Sequence, residues 1–339
     1  MKKFIIKVLV FFIAVIIVPS IISYRIDPFN VFHALNIKDN GVEPNKNFVK
    51  MTYILNNPDK FDTYVFGSSR VGNIHVNNMW GHKAYNMTYS ECLPKEILAN
   101  VRTLVNNGIY PKEIFVGVDN LSYTIDPESH MNASNAPYEL SVANPFEFYS
   151  YYLDPSISLS SYFTIINKHE IDDYYSYRFY EFGWNSDYGD NDTTYDFNNA
   201  KPSIGSYYRL EETLDEIREL VELCNDNGIK ITLFTNPMYY ITYDESVKQN
   251  YFEFLKGLSE ITEFCNFSGY NAISVNSENW IDNSHYTAEV SDMVLECMCF
   301  HAYYEGLYEE GFGYWVNKDN INQFIEMLND NAIKYNSIN

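Results

Sequence analysis

Two short segments contain the residue types that a serine-based acyl-transfer site needs. Residues 67–70 read Gly-Ser-Ser-Arg after an apolar run, and residues 282–285 read Asp-Asn-Ser-His late in the chain. A serine hydroxyl becomes a nucleophile when an imidazole takes its proton, and a carboxylate then orients and stabilises that imidazole. The spacing between Asp282 and His285 lets both side chains point the same way at the start of a helix. We therefore expect Ser69 as nucleophile, His285 as general base and acid, and Asp282 as the orienting carboxylate.

Ser68 is an alternative nucleophile, because either hydroxyl of a tight strand-to-helix turn could be the exposed one. We favour Ser69 since it occupies the third place of the Gly-x-Ser pattern. Small residues after a strand let the backbone turn sharply and expose nearby amides, so the amide of Ser69 is one candidate oxyanion donor. The remaining histidines have no comparable partner in the sequence and are interpreted as structural or surface residues: His33, His75, His82, His130, His169 and His301.

The elements that must position these side chains alternate along the chain. Strands are expected at 62–66, 113–118 and 229–235, with a weaker one at 272–275. Helices are expected at 48–56, 94–107, 209–227, 244–263 and 320–334, with another starting near Thr287. This alternation predicts an α/β fold with a parallel sheet, in which ligands bind at the carboxyl ends of the strands. Ser69, Asp119, Asn236 and Asp282 all follow predicted strands, which favours a single site.

The N-terminal residues 1–25 are interpreted as a transmembrane anchor, with a cleaved signal peptide as the alternative. Residues 4–23 are almost wholly apolar, long enough to cross a bilayer core of about 30 Å. Lys2, Lys3 and Lys7 precede the most hydrophobic stretch, which places the N-terminus in the cytoplasm. No Ala-x-Ala-like cleavage site follows, which favours the anchor. In either case the body of the protein is expected outside the cytoplasm, and the anchor would hold it at the cell membrane.

Three further regions follow the anchor. Residues 26–60 form a juxtamembrane segment, and 61–339 form the α/β domain. Within that domain, residues 126–205 break the alternation and are rich in Tyr, Asp, Asn and Ser. We expect an irregular insertion there, either a surface for a glycan or a solvated lobe packed by its own tyrosines.

Composition excludes some functions. The net charge is −22, and the first 25 residues contribute four positive charges and no negative ones, so the remainder carries −26. Such a body repels nucleic acid and offers no basic stripe to bind it. Five cysteines without regular spacing predict buried free thiols rather than disulfides. No residue pattern predicts a metal site or a cofactor.

These motifs resemble those of the SGNH (GDSL-like) hydrolases. Gly-Ser-Ser at 67–69 matches their first block, with Ser69 in the nucleophile position, and Asp-x-x-His at 282–285 matches their last. The chain is similar to a membrane-anchored subgroup of this family at three places. These are Gly-Ser-Ser-Arg at 67–70, the run at 227–237 and Asp-Asn-Ser-His-Tyr at 282–286. That subgroup is akin to the D-alanyl transfer protein of teichoic acid modification and to polysaccharide O-acetylation proteins. The resemblance covers roughly residues 1–125 and 205–335.

The resemblance implies a three-layer, flavodoxin-like fold and a set of oxyanion and substrate residues. The family takes oxyanion donors from a second-block glycine and a third-block asparagine. Here the second block is the run at 86–90, where Thr88 offers a backbone amide. The third block is the run at 117–120, with Asp119 in the asparagine position and Asn120 beside it. Arg70 either grips a phosphate or carboxylate of the substrate or forms a structural salt bridge.

The resemblance also implies a function and partners. A membrane-bound O-acyltransferase would deliver an acyl group across the membrane, and Ser69 would pass it to a cell-surface polysaccharide or teichoic acid. Ester hydrolysis by the same acyl-enzyme is an equivalent expectation. The alternative is a non-catalytic glycan-binding scaffold for such an acyltransferase, which Asp119 and the missing second-block glycine favour.

Overall fold

Six strands form one mixed sheet in the computed structural model of the chain, which describes residues 1–37, 40, 42–166 and 195–337. The strands lie in the order β2-β1-β3-β4-β5-β6, and all neighbours are parallel except β5 and β6. Their bounds are β1 Thr63–Phe66, β2 Ala84–Asn86, β3 Glu113–Val118, β4 Lys230–Thr235, β5 Phe264–Asn266 and β6 Tyr314–Val316. The predicted α/β class with a parallel sheet is confirmed.

Helices flank this sheet and form most of the remaining structure. Those of the first half are α1 Lys2–Ile26, α2 Lys46–Leu55, α3 Pro94–Asn106, α4 Leu121–Thr124, α5 Tyr138–Ala143, α6 Pro145–Leu153 and α7 Pro155–Ile166. Those of the second half are α8 Leu210–Asp226, α9 Tyr240–Lys248, α10 Tyr251–Ile261, α11 Ala288–Phe300 and α12 Ile321–Asn336. The first three predicted strands and most predicted helices agree with these bounds to within two or three residues.

The core lies on both faces of the sheet. Successive strand residues point to opposite faces, so Tyr64 and Phe66 of β1 pack in one apolar cluster and Val65 packs in the other. The first cluster includes residues of α3, α8, α10 and α12, and the second includes residues of α11. Because both faces are covered, β1 and β3 contain short apolar runs, at 64–66 and 114–118, rather than alternating patterns.

Two expectations about the second half are wrong. Residues 272–275 form a turn rather than a strand, because the Asn271 side chain accepts backbone N–H groups of Ile273 and Ser274. The strand in this part of the chain is instead the three-residue β5. The helix expected at 244–263 is two helices, α9 and α10, separated at Asn250, which has a left-handed φ of 63°.

The insertion is more regular than expected. Its first part contains α5, α6 and α7, so the prediction of an irregular segment is wrong for residues 138–166. Asn144 caps α6 by accepting from the backbone N–H of Glu147, and Pro145 occupies the first helical turn. The acidic, tyrosine-rich runs at 172–177 and 187–192 lie outside the described residues.

The N-terminal helix α1 is long and apolar enough to cross a membrane. The juxtamembrane segment that follows is folded against the insertion, where Phe29, Phe48, Phe148 and Tyr152 share an apolar cluster. The Asn45 side chain donates to the backbone carbonyl of Ala136 and to the Tyr152 hydroxyl, at 2.8 and 2.7 Å. This segment is therefore a packed part of the fold and not a free linker.

Candidate active site

Ser69, His285 and Asp282 form a hydrogen-bonded chain at the carboxyl end of β1. The Ser69 Oγ lies 2.8 Å from His285 Nε2, and His285 Nδ1 lies 2.8 Å from Asp282 Oδ2. All three side chains are half-buried, so the site is reachable from solvent. A nucleophile bonded to a base that is itself oriented by a carboxylate is the arrangement required for acyl transfer through a covalent intermediate.

The structure separates the two candidate serines. The Ser69 hydroxyl contacts the imidazole, whereas the Ser68 hydroxyl is buried and donates to Asp119 Oδ2 at 3.3 Å. Ser68 ends the extended backbone, and the short 3₁₀ helix Ser69–Asn73 begins immediately after it. This abrupt change from strand to helix turns the two neighbouring hydroxyls in different directions.

Two glycines allow the nucleophile turn to pack tightly. Gly67 has a φ of 154°, and a Cβ placed there would lie 2.4 Å from Val71 Cγ2. A Cβ on Gly117 of β3 would lie 2.5 Å from the same methyl group. Nonbonded carbon atoms do not approach each other this closely, so neither position accepts a side chain unless Val71 moves. The first turn after the nucleophile thus sits directly on the ends of β1 and β3.

The Asp282 carboxylate is held by more than the imidazole. Its Oδ1 accepts the backbone N–H groups of Ser284 and His285 at 2.7 and 2.8 Å. Burial alone would raise the pKa of Asp282, but the hydrogen bonds from His285 and from these amides lower it below its ordinary value. The carboxylate therefore remains ionised and able to stabilise an imidazolium.

The expectation that Asp282 and His285 begin a helix is wrong. They lie in a loop that an antiparallel bridge between Trp280 and Tyr286 closes, and α11 starts only at Ala288. The Ile281 N–H donates to the His285 carbonyl at 2.8 Å across that bridge. The two side chains still share one direction, because the carboxylate folds back over its own loop to reach the backbone and the ring.

Arg70 occupies a structural role rather than an open substrate position. Its side chain is about 1% exposed and donates to Asn120 Oδ1 at 2.6 Å, to Ser284 Oγ at 3.2 Å and to the Ser203 carbonyl at 3.2 Å. Its guanidinium also lies 3.1 Å from Asp119 Oδ2. Of the two interpretations of Arg70, the geometry favours the salt bridge that holds the turn.

Asp119 is surrounded by the Arg70 guanidinium and by hydrogen-bond donors. One carboxylate oxygen contacts Arg70 and accepts from Asn236 Nδ2 at 2.9 Å, while the other accepts the N–H of Leu121 at 2.8 Å. Asn236 in turn accepts from the Tyr286 hydroxyl at 3.3 Å. The acidic residue in the third block is therefore neutralised by a buried network beneath the site.

The side chains and amides predicted to stabilise an oxyanion are largely engaged elsewhere. The Thr88 N–H donates to Asn86 Oδ1 at 2.9 Å, and Asn120 Nδ2 donates to the Ser203 carbonyl at 2.9 Å. Thr88 is nevertheless close to the turn, since its hydroxyl lies 2.6 Å from the Ser68 carbonyl. Among the described residues, the backbone N–H groups of Ser69 and Arg70 have no acceptor. These two amides are therefore the candidate oxyanion donors that remain without an acceptor.

The remaining histidines differ from expectation in one respect. Three of them have a carboxylate partner: His33 Nδ1 lies 2.8 Å from Asp27, His130 Nδ1 lies 2.6 Å from Glu96, and His75 Nδ1 lies 3.5 Å from Asp292. We interpret these pairs as structural. Tertiary packing brings the His130–Glu96 and His75–Asp292 pairs together, so local spacing does not reveal those two.

Three residues that the sequence analysis overlooked connect the two halves of the site. Asn73 Nδ2 donates to the Tyr286 carbonyl at 2.9 Å. Ser284 accepts from Arg70, and the Ser203 hydroxyl lies 3.1 Å from Ser284 Oγ. The position of Asn73, one helical turn after the nucleophile, is a signal that could have been read. Ser203 comes from the end of the insertion, and no local pattern marks it.

The part of the chain that the structure describes has no candidate metal centre. No group of three or more His, Cys, Asp or Glu side chains in that part of the chain is placed to hold a metal ion. The five cysteines are free thiols, four of them buried, as predicted. Comparison of the chain with protein-family models, curated proteins and solved structures gives no significant match.

Proposed function

We propose that this protein is a membrane-anchored serine acyltransferase or esterase that acts on a cell-envelope polysaccharide outside the cytoplasm. The observation that carries the proposal is the pair of 2.8 Å contacts that join Ser69 Oγ to His285 Nε2 and His285 Nδ1 to Asp282. Residues 216 positions apart are brought to hydrogen-bond distance in the order nucleophile, base and carboxylate. A sheet flanked by helices and the motifs at 67–70 and 282–286 support an SGNH-like, flavodoxin-like version of this fold.

The first half-reaction would form an acyl-enzyme. Ser69 Oγ attacks the carbonyl carbon of the acyl donor while His285 Nε2 takes the hydroxyl proton. The negative charge on the carbonyl oxygen is stabilised by the backbone amides of Ser69 and Arg70. The imidazolium, stabilised by Asp282, then gives its proton to the departing group of the donor. The products are the Ser69 ester and the protonated leaving group.

The second half-reaction would release the acyl group. A hydroxyl of the polysaccharide loses its proton to His285 as its oxygen attacks the Ser69 ester. The tetrahedral intermediate collapses, and the same proton returns to Ser69 Oγ. Water in place of the sugar hydroxyl would give hydrolysis by the same steps, so exclusion of water decides between transfer and hydrolysis.

The location of the domain supports a partner in the membrane. The helix α1 would hold the domain at the bilayer, close to a membrane-bound O-acyltransferase that supplies the acyl group.

The body of the chain carries a formal charge of −26, which disfavours polyanions such as nucleic acid. A neutral or zwitterionic polymer is thus a better acceptor than an unmodified, strongly anionic one.

A second candidate is a catalytically inactive scaffold that presents glycan to the acyltransferase. The Thr88 N–H and the Asn120 carboxamide favour this candidate, because both donate their hydrogen bonds to other protein groups and not toward the nucleophile. Removal of one oxyanion donor typically costs about 3 kcal/mol of transition-state stabilisation. A site with two backbone donors alone would be slower than one that adds a side-chain amide.

An active-site probe separates the two candidates. A fluorophosphonate applied to the full chain in detergent should label the wild type at Ser69, with loss of fluoride. Ser69→Ala should abolish labelling, and His285→Ala should slow it by orders of magnitude without change in the unfolding temperature. The matched control is Ser68→Ala, which should still be labelled. Absence of labelling in the folded wild type would favour the scaffold.

A further inference from the structure

The helix α7 buries two of its serines and exposes three of its large apolar side chains, while Ser156 and Thr164 are exposed as well. Ser158 and Ser161 are buried, at 0% and 8% exposure. Leu159, Phe163 and Ile166 are 56%, 61% and 77% exposed, and their spacing places them on one face of the helix. Residues 155–166 contain no charged side chain. A helix at the surface of a water-soluble protein has the opposite arrangement.

The buried face of α7 packs against the end of α1. The Ser23 hydroxyl of α1 lies 2.7 Å from the Tyr162 hydroxyl of α7. Pro19 and Ser20 of α1 are half-buried and Ser23 is buried, whereas Ile21 and Ile22 between them are exposed. Hydroxyl groups therefore meet where the two helices contact each other, and several large apolar residues of both helices are exposed.

This inside-out pattern is the one that helices adopt in lipid. Helices in a bilayer associate through small residues and hydroxyl groups, because lipid chains solvate large apolar side chains as well as a protein core does. In water, each exposed Leu, Phe or Ile would forgo the favourable free energy of burying its apolar surface. The pattern thus has a physical reason at α7 only if its outer face is covered by an apolar medium.

We propose that α7 is a second membrane-embedded element, which inserts into the outer leaflet beside α1 with Leu159, Phe163 and Ile166 facing lipid. At about 1.5 Å per residue its 12 residues span about 18 Å, less than the bilayer core of about 30 Å. The helix therefore enters one leaflet and does not cross the membrane. Lipid is the occupant because the exposed face of α7 continues the exposed apolar surface of α1.

Such a second attachment would fix how the site faces the membrane. The helix α6 precedes α7 directly, and its Tyr152 accepts from Asn45 at the start of α2. From α2, the Lys50 ammonium donates to the Thr88 carbonyl, and the Thr88 hydroxyl bonds the nucleophile turn. A single spanning helix would let the domain rotate about its axis. Two attachment points would hold the turn that carries Ser69 at a fixed height above the bilayer and in a fixed orientation relative to it.

The inference rests on the membrane-spanning part of the proposed function and not on the chemistry of Ser69. The test places a nitroxide label on the full chain, reconstituted at one copy per vesicle of phosphatidylethanolamine and phosphatidylglycerol. Phe163→Cys reports on α7, Val10→Cys reports on α1, and Tyr110→Cys, 57% exposed before β3, reports on the aqueous domain. The chain without an introduced cysteine gives the background from native thiols.

Collisional relaxation by oxygen, which concentrates in lipid, is compared with relaxation by a water-soluble nickel chelate. We expect the label at 163 to resemble that at 10, with an oxygen-to-nickel ratio at least about tenfold above that at 110. A ratio at 163 equal to that at 110, with 10 in lipid, would overturn the inference and leave the anchor intact. Aqueous ratios at both 163 and 10 would overturn the anchor as well. Protection of 163 from both reagents at one copy per vesicle would show that protein covers this face of α7 and would also overturn the inference.

Discussion

The Arg70 Nε donates to the Ser284 Oγ at 3.2 Å, which joins the residue after the nucleophile to the residue before the base. The same guanidinium contacts Asp119 and Asn120 at the end of β3. One buried cation therefore ties together the three chain segments that meet at the site. We therefore expect this contact to help hold Ser69 and His285 at hydrogen-bond distance.

Replacement of Arg70 should reveal this positioning role. Arg70→Ala leaves the buried Asp119 carboxylate without its cation and should cost about 3–5 kcal/mol in the free energy of unfolding. Arg70→Lys keeps the charge but loses the fork that reaches Asn120 and Ser284 together, so it should fold and yet react more slowly with a fluorophosphonate. Urea unfolding and labelling rates measure the two effects.

The matched control for this pair of variants is Arg218→Ala. Arg218 forms an exposed ion pair with Asp215 on α8, so its loss should cost less than about 1 kcal/mol. If Arg70→Ala proved as stable as Arg218→Ala, the buried network would not hold the site as described.

Asp282→Asn should lower turnover by about 10⁴-fold while the fold is retained. The amide oxygen can still accept the N–H groups of Ser284 and His285, but the group no longer carries the charge that stabilises an imidazolium. The carboxylate pKa lies below its ordinary value, so wild-type activity should not fall through protonation of Asp282 at pH 5. Single-turnover acylation rates between pH 5 and 9 measure both points.

Asp126→Asn provides the comparison, because Asp126 accepts the N–H of Glu128 in a similar turn far from the nucleophile. It should leave the acylation rate unchanged. Equal rates for Asp282→Asn and the wild type would remove the carboxylate from the mechanism.

Gly67→Ala should be strongly destabilising. The new Cβ would lie 2.4 Å from Val71 Cγ2 at a backbone φ of 154°, so strain and overpacking act together, at about 3 kcal/mol. Gly108 also has a positive φ, of 73°, but a Cβ there meets nothing within 4 Å. Gly108→Ala should therefore cost only about 1 kcal/mol, the backbone part alone. Similar costs for the two variants in chemical denaturation would contradict the packing argument.

His130 should make stability fall at alkaline pH. Burial alone would lower its pKa, but the carboxylates of Glu91 and Glu96 raise it from 6.5 to about 9. A histidine with a raised pKa in the folded state stabilises fully below pH 6.5, and that stabilisation is lost as the pH rises to about 9. The free energy of unfolding should decrease in this window by at most about 1.4 kcal/mol per pH unit for this proton.

The comparison for that experiment is His130→Gln, which removes the titrating group. The difference in unfolding free energy between the wild type and His130→Gln should shrink from pH 6.5 to 9. Titration of other groups, such as Lys46 with its pKa lowered to about 8, is common to both proteins and cancels. Parallel stability curves would show that His130 does not titrate in this window.

Much of the fold could be predicted because its strongest signals are local. The apolar run of β3 and the spacing of α8, which ends before Gly228, depend on period and on terminal residues close in sequence. The predictions of secondary structure were wrong where the elements are short and a side chain can form a turn instead. The three-residue β5 carries too little pattern, and Asn271 converts an apolar run into a turn through its own side chain.

By itself, the sequence determined which residue types are available for chemistry, and it bounded the N-terminal helix by hydropathy. A serine after a glycine, and an aspartate three residues before a histidine, are properties of the chain alone. Only the tertiary structure decided that Ser69 rather than Ser68 meets the imidazole, that the buried Arg70 contacts Asp119 and Ser284, and that Tyr162 of α7 meets Ser23 of α1. These outcomes depend on side-chain direction and on contacts between distant segments, which hydrophobic period and residue spacing do not encode.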